Sequence, residues 1–396
     1  MTMAAAIEAR KADVPAWSKS SRIAAIEVFT DIDAAEVVWR TLESQNHIST
    51  PYQRFDFLRP WQTMVGTREG LRPLIVVAYD CDRTPLLLLP IALKRSRGVH
   101  VAQFMGGKHA TFNMALWNRE FATVASRADL NALFASIREH AGVDVLAFEQ
   151  QPLTWQDQPN PFALLAHQAS PTDCPSMTFE PGATDTARIS QSLRRRLKTK
   201  ERKLKGLPGY RYQVATDDAD IKRLLDAFFR IKPQRMAEQK LPNVFAEPGV
   251  EDFIRSACVA RRADGGRVIE IHALESEGDV IALFAGVADG YRFSMMFNTY
   301  TLSASSRHSP GLILIRNIID HYAERDYRTL DLGIGSDDYK KLFCKVNEPI
   351  FDCFVPLSPR GSVAAAAMSA SSRAKRFVKR SPALSRLAQR LRYAFH

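Results

Sequence analysis

The chain has 396 residues, which at about 150 residues per domain predicts two or three domains. Hydrophobic residues make up 46% and charged residues 24%, values that exclude disorder over the whole chain and fibrous repeats. The net charge is +11, but residues 188–205 and 361–396 each carry +8, so the remainder is mildly acidic. Proteins that bind nucleic acids usually spread their basic residues over a folded face, with aromatic residues among them that stack on bases. Here the positive charge is confined to two segments without such aromatics, which argues against a nucleic-acid partner.

The five cysteines are scattered and form no CxxC pair, which argues against a structural zinc site or disulfides and for a reducing compartment. No apolar run approaches the roughly 18 residues of a membrane span. The first residues, MTMAAAIEARKADVPAW, carry charges where a signal peptide needs an apolar core. We therefore expect a cytoplasmic protein.

Taken in chain order, residues 1–20 read as a flexible tail, and residues 21–150 as the first domain. The residue pattern of this domain predicts, in chain order, a strand, two helices, a set of antiparallel strands, a helix and a final strand. The apolar runs 73–79 and 85–93 are five residues apart, a hairpin spacing. Residues 151–187 are rich in Pro, Gln, Asp and Thr and predict a connector.

Residues 188–206 predict a basic helix between the two halves. Ser190 is a candidate cap, and four apolar residues follow at helical spacing: Ile189, Leu193, Leu197 and Leu204. Two interpretations stay open. The helix is either a solvated surface helix with one buried edge, or a basic helix that faces an anionic ligand.

Residues 207–358 are predicted to form the second domain, with the same order of strands and helices as the first. Residues 359–396 are predicted to form a basic C-terminal tail. Pro382 divides this tail into two amphipathic pieces, which either lie on an anionic membrane surface or form a disordered solubilising extension. The fold class predicted for both halves is mixed α/β. Each half should contain a mixed, mostly antiparallel sheet flanked by helices.

Two stretches carry candidate chemistry. In the second half, Ser309-Pro310 begins a helix that follows a strand, so the positive end of its dipole can bind phosphate, with Arg307 beside it. In the first half, the loop after strand 99–105 holds two glycines and then Lys108, His109 and Asn113. This loop could bind an acceptor, and His109 could act as a base. The histidines form no HExxH pattern, so we expect no metal.

The second half contains, in order, SPG before an apolar helix, an Asp-Leu-Gly strand, and Gly-x-x-x-Tyr-Lys. The residues of this pattern are Ser309, Pro310, Gly311, Asp331, Gly335, Tyr339 and Lys340. It resembles the C-terminal half of the CelD-type acetyltransferases, a cellulose-biosynthesis group of the GNAT superfamily related to the Fem-type transferases. The basic helix and the Phe57/Trp61 helix are similar too, and the resemblance covers roughly residues 25–357.

The resemblance implies two tandem GNAT-like domains and direct attack of an amine or hydroxyl on acetyl-CoA or another acyl-CoA, without a metal. The candidate catalytic residues are Asp331, Tyr339 and Lys340. Lys340 could hold a phosphate or neutralise charge, Tyr339 could give a proton to the leaving thiolate, and Asp331 could act as a base. The alternatives are a surface lysine, a packed tyrosine and a structural hydrogen-bond acceptor. The acyl-CoA contacts would be Arg307, Ser309, Gly311 and Leu312. The acceptor contacts would be Lys108, His109, Asn113 and Arg195. The acceptor would be a small molecule or a glycan in exopolysaccharide assembly. From the basic tail, rather than from the resemblance, we expect weak contact with the inner face of the membrane.

One departure from the family pattern leaves alternatives open. The usual pyrophosphate motif, Arg/Gln-x-x-Gly-x-Gly/Ala, is absent, and residues 307–311 are the nearest equivalent. A Fem-like transferase that takes an aminoacyl group from charged tRNA therefore stays open. So does a non-catalytic scaffold of a polysaccharide synthase.

Overall fold

A computed structural model describes residues 10–13, 21–180, 189–335 and 337–381. Within these ranges the strands are β1 (Arg10–Asp13), β2 (Ala25–Phe29), β3 (His47–Ile48), β4 (Arg72–Tyr79), β5 (Pro85–Ser96), β6 (Val99–Phe104), β7 (Leu116–Asn118), β8 (Val145–Pro152), β9 (Thr154–Trp155), β10 (Gln158–Pro159), β11 (Gln168–Ala169), β12 (Cys174–Thr178), β13 (Arg211–Val214), β14 (Glu270–Ser276), β15 (Asp279–Ala288), β16 (Arg292–Tyr300), β17 (Thr329–Asp331), β18 (Val346–Glu348) and β19 (Ile350–Pro356). The helices are α1 (Glu36–Thr41), α2 (Phe55–Trp61), α3 (Arg119–Val124), α4 (Arg127–Ala141), α5 (Gln191–Leu204), α6 (Asp218–Glu238), α7 (Val250–Val259), α8 (Pro310–Ala323), α9 (Lys340–Phe343) and α10 (Pro359–Arg380).

The chain divides into two compact units. The first unit combines Met1–Pro171 with Pro349–Phe395, and the second is Thr172–Glu348. In the first unit β2, β4, β5 and β6 are antiparallel neighbours, β6 and β8 are parallel, and β8 pairs antiparallel with β19. The predicted hairpin of residues 73–79 and 85–93 is therefore present as β4 and β5.

The second unit repeats this topology. Strands β13 to β16 are antiparallel neighbours, β16 and β17 are parallel, and β17 pairs antiparallel with β12. Two helices precede the second strand of each series: α1 and α2 in the first unit, α6 and α7 in the second. The predicted fold class, mixed α/β with two similar helix-flanked sheets, is confirmed.

Two strands lie outside the domain boundaries that the sequence predicted. Strand β12, from the predicted connector, joins the second unit's sheet between β17 and β18. Strand β19, which we placed in the second domain, pairs with β8 of the first unit. The cause of the error is physical: a buried apolar strand pattern fixes which face is covered, but it does not specify which sheet edge receives the strand.

Both predicted tails also need correction. Residues 10–13 form strand β1, which pairs with β2, and the rest of residues 1–20 lie outside the described residues. The C-terminal tail begins with α10, whose cap Ser358 accepts a hydrogen bond from the Gly361 amide at 3.1 Å. Helix α10 packs against β19, β8 and β6. The second predicted amphipathic piece, residues 383–396, lies outside the described residues.

Glycine 361 lets the first turn of α10 approach the backbone before β8. A Cβ at this position would lie 1.7 Å from the carbonyl oxygen of Asp144, which is far inside van der Waals contact. The side chain of Asp144 holds the same turn, because it accepts a hydrogen bond from the Ser358 hydroxyl at 2.5 Å.

We predict that Gly361→Ala destabilises the first unit by about 1–3 kcal/mol, since backbone atoms must move apart to admit the methyl group. All five tryptophans of the chain precede residue 172, so tryptophan fluorescence during urea unfolding reports on this unit. The exposed neighbour provides the control: Ser362→Ala should change stability by less than about 0.5 kcal/mol. Equal unfolding midpoints for Gly361→Ala and the parent would contradict this packing.

Candidate functional site

The parallel strands β16 and β17 of the second unit diverge after a short pairing. Arg292–Ser294 pairs with Thr329–Asp331, and β17 ends there while β16 continues to Tyr300. In the described part of the chain, no strand pairs with this outer edge of residues 295–300. We call residues 295–300 together with residues 332–335 and 337–339 the β16 opening. It leaves backbone donors and acceptors of a sheet edge available to a ligand.

A β-bulge lies beside the point where the strands part. The register between β15 and β16 shifts between Ala285 and Gly286, so that Met296 is the extra residue on β16. Gly286 makes this close approach possible, because a Cβ there would lie 2.4 Å from the Ser294 carbonyl oxygen. Bulges re-aim strand residues, and they are over-represented next to active sites.

Asp331 holds the apex of the opening. Its Oδ1 accepts hydrogen bonds from the Ser294 hydroxyl at 2.9 Å and the Gly333 amide at 3.0 Å. Its Oδ2 lies 3.8 Å from Nη1 of Arg292. Burial raises the pKa of Asp331 to about 6, against the opposing effect of Arg292. Since Asp331 is fully buried, its contacts tie β16 to β17 rather than present a base to an acceptor.

Lys340, a candidate catalytic residue from the sequence, is only 3% exposed. Its ammonium group donates to the carbonyl oxygens of Gly333 at 3.0 Å and Ile334 at 2.8 Å. It also lies 3.6 Å from Asp337. These contacts close the turn that follows β17, so Lys340 shapes one wall of the opening.

Tyr339 and Lys232 meet at Asn298, in the part of β16 that lies beyond β17. The Tyr339 phenol hydrogen-bonds with the Asn298 side chain, and burial raises the pKa of Tyr339, so that it stays protonated. The Lys232 ammonium, on α6, donates to the Asn298 carbonyl oxygen at 2.9 Å. Burial lowers the pKa of Lys232 to about 8; Arg235 acts in the same direction and Asp337 against it.

Sequence reasoning missed Lys232. It lies within a long amphipathic helix, where a lysine is ordinarily a solvated residue, and no motif marks it. The nearest signal in the sequence is the unusual FFRIKPQR run, which places Lys232 directly before Pro233 inside the helix.

Helix α8 begins at Pro310, as predicted, but Ser309 does not cap it with its side chain. Ser309 adopts a left-handed backbone conformation (φ 55°, ψ 52°), which is strained for a residue with a Cβ. Its hydroxyl instead accepts a hydrogen bond from the Lys200 ammonium at 2.7 Å. An ammonium at the positive end of a helix dipole is unfavourable by itself, so this place favours an anion.

The other predicted acyl-CoA contacts surround the same helix end. Arg307 is exposed and bonds His308 through Nε at 3.3 Å. Gly311 lies beside β16, since a Cβ on it would be 3.7 Å from the Tyr300 ring and so in ordinary contact. Leu312 is half-buried against the core. The end of α8 therefore adjoins the last residue of β16.

The predicted acceptor loop belongs to the first unit. The His109 ring accepts a hydrogen bond at Nδ1 from the Trp61 indole at 3.0 Å, and Lys108 beside it is exposed. Asn113 is buried and donates to the Glu149 carbonyl oxygen at 3.2 Å. Asn113 therefore supports the fold of this loop, whereas Lys108 and His109 lie nearer its surface.

Arg195, the remaining predicted acceptor contact, is exposed on α5. Its neighbour Arg194 is instead 6% exposed and pairs with Asp320 on α8 at 2.7 Å and 3.0 Å. The two adjacent arginines are indistinguishable in the sequence, and only the packing of α5 against α8 separates them.

Among the described residues, no cluster of three or more His, Cys, Asp or Glu side chains is placed to hold a metal ion. Over the same residues, none of the helices combines the length and apolar character needed to cross a bilayer.

Residues 191–341 match the family model described as "Acetyltransferase (GNAT) domain". The match begins at the first residue of α5 and includes the β16 opening, Tyr339 and Lys340. These residues are therefore similar to a GNAT acetyltransferase domain. No curated protein matches the chain.

The fold is similar to that of two of the following three solved structures, FemX and a Bacteroides protein. FemX aligns with a TM-score of 0.55 and 10% identity over 82% of this chain and 96% of that chain. A protein of unknown function from Bacteroides thetaiotaomicron aligns with a TM-score of 0.51 and 10% identity, over 84% and 99% respectively. A tandem GNAT protein from the clavulanic acid biosynthesis pathway gives a TM-score of 0.40 with 11% identity, over 84% and 99%.

Proposed function

We propose that the protein is an acyl-CoA-dependent N- or O-acyltransferase that transfers the acyl group directly to an amine or hydroxyl at the β16 opening. The observation that carries this proposal is the pairing of Lys200 with Ser309 at the start of α8, directly beside the open edge of β16. An anionic head at the helix end and an extended chain along the strand edge are the two parts of an acyl-CoA.

The residues at this site fit such a ligand. The positive end of α8 and the Lys200 ammonium suit a pyrophosphate, and Arg307 adds an exposed cation. The outer edge of β16 can hydrogen-bond with the amides of an extended ligand, as in strand addition. The α8 end replaces the glycine-rich pyrophosphate motif that the sequence lacks.

Two groups can move the protons that direct transfer requires. The neutral amine of Lys232 takes the proton from the attacking amine or hydroxyl, and the Tyr339 phenol gives a proton to the departing thiolate. The bond between acyl carbon and acceptor forms as the carbon–sulfur bond breaks. The enzyme is then left with Lys232 protonated and Tyr339 deprotonated, and proton exchange with solvent restores both.

For the donor and acceptor we propose acetyl-CoA and a small-molecule or glycan acceptor, as in the CelD-type group that the sequence resembles. The cytoplasm, where acyl-CoA is available, is the location we propose. The aminoacyl-tRNA alternative uses the same fold, and the experiment below distinguishes it by its ligand.

The first prediction concerns Lys200. Lys200→Gln should weaken acetyl-CoA binding about tenfold or more, because it removes a charge-assisted contact to phosphate. Isothermal titration measures the affinity. Lys203→Gln removes the same charge from an exposed position of α5 and should leave the affinity unchanged.

Two results would count against the acyl-CoA proposal. One is that neither acetyl-CoA nor a longer acyl-CoA binds the parent protein. The other is that charged tRNA binds and loses about 10³-fold in affinity between 50 and 200 mM salt while acyl-CoA does not bind.

The second prediction concerns the pH dependence of the rate. Lys232 is protonated below pH 8 and gains its basic form as the pH rises, because burial lowers its pKa to about 8. The rate of acetyl-CoA-dependent thiol release with an amine acceptor should therefore rise towards pH 8 and level above it. Lys232→Met should abolish this rise and lower the rate by about 10²-fold or more, while acetyl-CoA still binds.

Two variants separate this role from general effects. Lys222→Met, an exposed lysine of the same helix, should keep both the rate and the pH profile. Tyr339→Phe should lower the rate but keep the rise towards pH 8, since Lys232 is intact. An unchanged pH profile in Lys232→Met would exclude Lys232 as the base.

The third prediction concerns the membrane contact expected from the tail, which stays a proposal. Helix α10 has six Arg or Lys residues, no acidic residue, and an exposed Phe377. Truncation after Ser381 keeps α10 and removes the segment beyond it. Full-length protein should float with anionic vesicles more than the truncated protein does; equal recovery of both would refute a role for that segment.

A further inference from the structure

A second positively charged site lies in the second unit, away from the end of α8. The cavity between α5, β13 and the middle of α8 has a volume of about 540 Å³. Small-molecule sites usually span about 300–1,000 Å³. We call it the basic cavity. Its lining residues are mostly charged: Arg194, Lys198, Glu201, Arg202, Lys205, Tyr210, Arg211, Tyr212, Arg316, Asn317 and Asp320.

The carboxylates of the basic cavity already have cationic partners. Arg194 pairs with Asp320 at 2.7 Å, and Arg316 pairs with Glu201 at 2.8 Å. Arg211 pairs at 3.0 Å with Glu275, which lies outside the lining. The three cations left over are Lys198, Arg202 and Lys205. Within the described residues, none of these three has a carboxylate within salt-bridge distance, so the cavity carries an uncompensated positive charge.

A buried arginine in the lining also lacks one hydrogen bond. Arg316 is 5% exposed, and its Nη1 has no partner among the described residues. Its other terminal nitrogen, Nη2, donates to Glu201 and Asn317 at 2.8 and 2.7 Å. A buried donor without a partner is unfavourable, so an anion that reached it would supply the missing hydrogen bond.

A directed chain of hydrogen bonds fixes what Tyr212 offers to the cavity. Tyr322 donates to Glu270 at 2.7 Å, so its oxygen accepts from His272 Nε2 at 2.9 Å. His272 Nδ1 must then accept, and the Tyr212 hydroxyl donates to it at 2.9 Å. Burial holds the pKa of His272 well below its ordinary value, which keeps the ring neutral. Because the Tyr212 hydroxyl already donates its hydrogen bond to His272, it can only accept a hydrogen bond from a ligand.

We propose that the basic cavity is a second binding site, for a small phosphorylated compound that bears hydroxyl groups. Its phosphate would face Lys198, Arg202 and Arg316, and a hydroxyl group would donate to Tyr212. The lining is more polar than apolar, which suits a phosphorylated hydroxy compound better than a lipid chain. The cavity uses Arg316 and Asp320, two to three turns along α8 from Ser309, so this proposal does not depend on the acyl-CoA proposal.

Isothermal titration with glucose 6-phosphate, glucose and inorganic phosphate tests the proposal on the full chain. Glucose 6-phosphate should bind at one site per chain, also in the presence of saturating acetyl-CoA. The double variant Lys198→Gln/Arg202→Gln changes exposed side chains and should bind it at least about tenfold more weakly, since two charge-assisted contacts are lost. Tyr212→Phe should weaken glucose 6-phosphate but leave inorganic phosphate unchanged.

Two controls separate this site from its alternatives. Lys203→Gln removes a cation of α5 that does not line the cavity and should have no effect. Lys200→Gln should weaken acetyl-CoA and leave glucose 6-phosphate unchanged. The proposal is overturned if glucose 6-phosphate shows no binding at about 10 mM, a concentration that would detect even a weak, millimolar affinity. It is also overturned if acetyl-CoA displaces glucose 6-phosphate, if Lys203→Gln weakens binding as much as the double variant, or if the double variant binds glucose 6-phosphate as tightly as the parent.

Discussion

The second unit depends on one parallel strand pairing that stops after three residues. The hydrogen bonds of Asp331 with Ser294 and Gly333 hold β16 and β17 together at this point, and beyond it the strands part. The carboxyl group is fully buried, and its desolvation is unfavourable for folding. This free-energy cost falls at the point where the register of β16 and β17 is fixed. Everything at the β16 opening is positioned from this apex: Lys340 closes the turn after β17, which in turn brings Tyr339 to Asn298.

Helix α5 organises the positive charge of the second unit on different faces. Its apolar stripe, with Leu193 and Leu197, is buried against the core, which fixes the helix rotation. That rotation sends Lys200 to the end of α8 and Lys198 and Arg202 to the basic cavity. Of the two interpretations that the sequence left open for this helix, the buried edge is present in the structure, and the binding of an anion by the charged faces stays a proposal.

The sequence predicted what depends on neighbouring residues. The start of α8 at Pro310, the cap of α5 at Ser190 and the β4–β5 hairpin are local patterns, and the structure contains all three. The positions of β12 and β19 were not predictable, because each strand crosses to a sheet edge that is remote in sequence. The same limit applies to individual side chains. Lys340 matched a motif but holds a turn, while Lys232 matched none and lies at Asn298.

Lys232 shows why the two halves of the proposed site must act together. Its pKa is set by burial and by Arg235, which lower it, and by Asp337, which raises it. The Arg235 guanidinium lies 3.6 Å from the centre of the Tyr300 ring, on the strand end that adjoins α8. An anion bound at α8 would offset the positive charge of Arg235, so it would raise the pKa of Lys232 and strengthen it as a base. By linkage, the protonated amine must favour the bound anion by the same free energy. Binding of the donor and protonation of Lys232 are then one coupled equilibrium, carried by α6, which packs against β16.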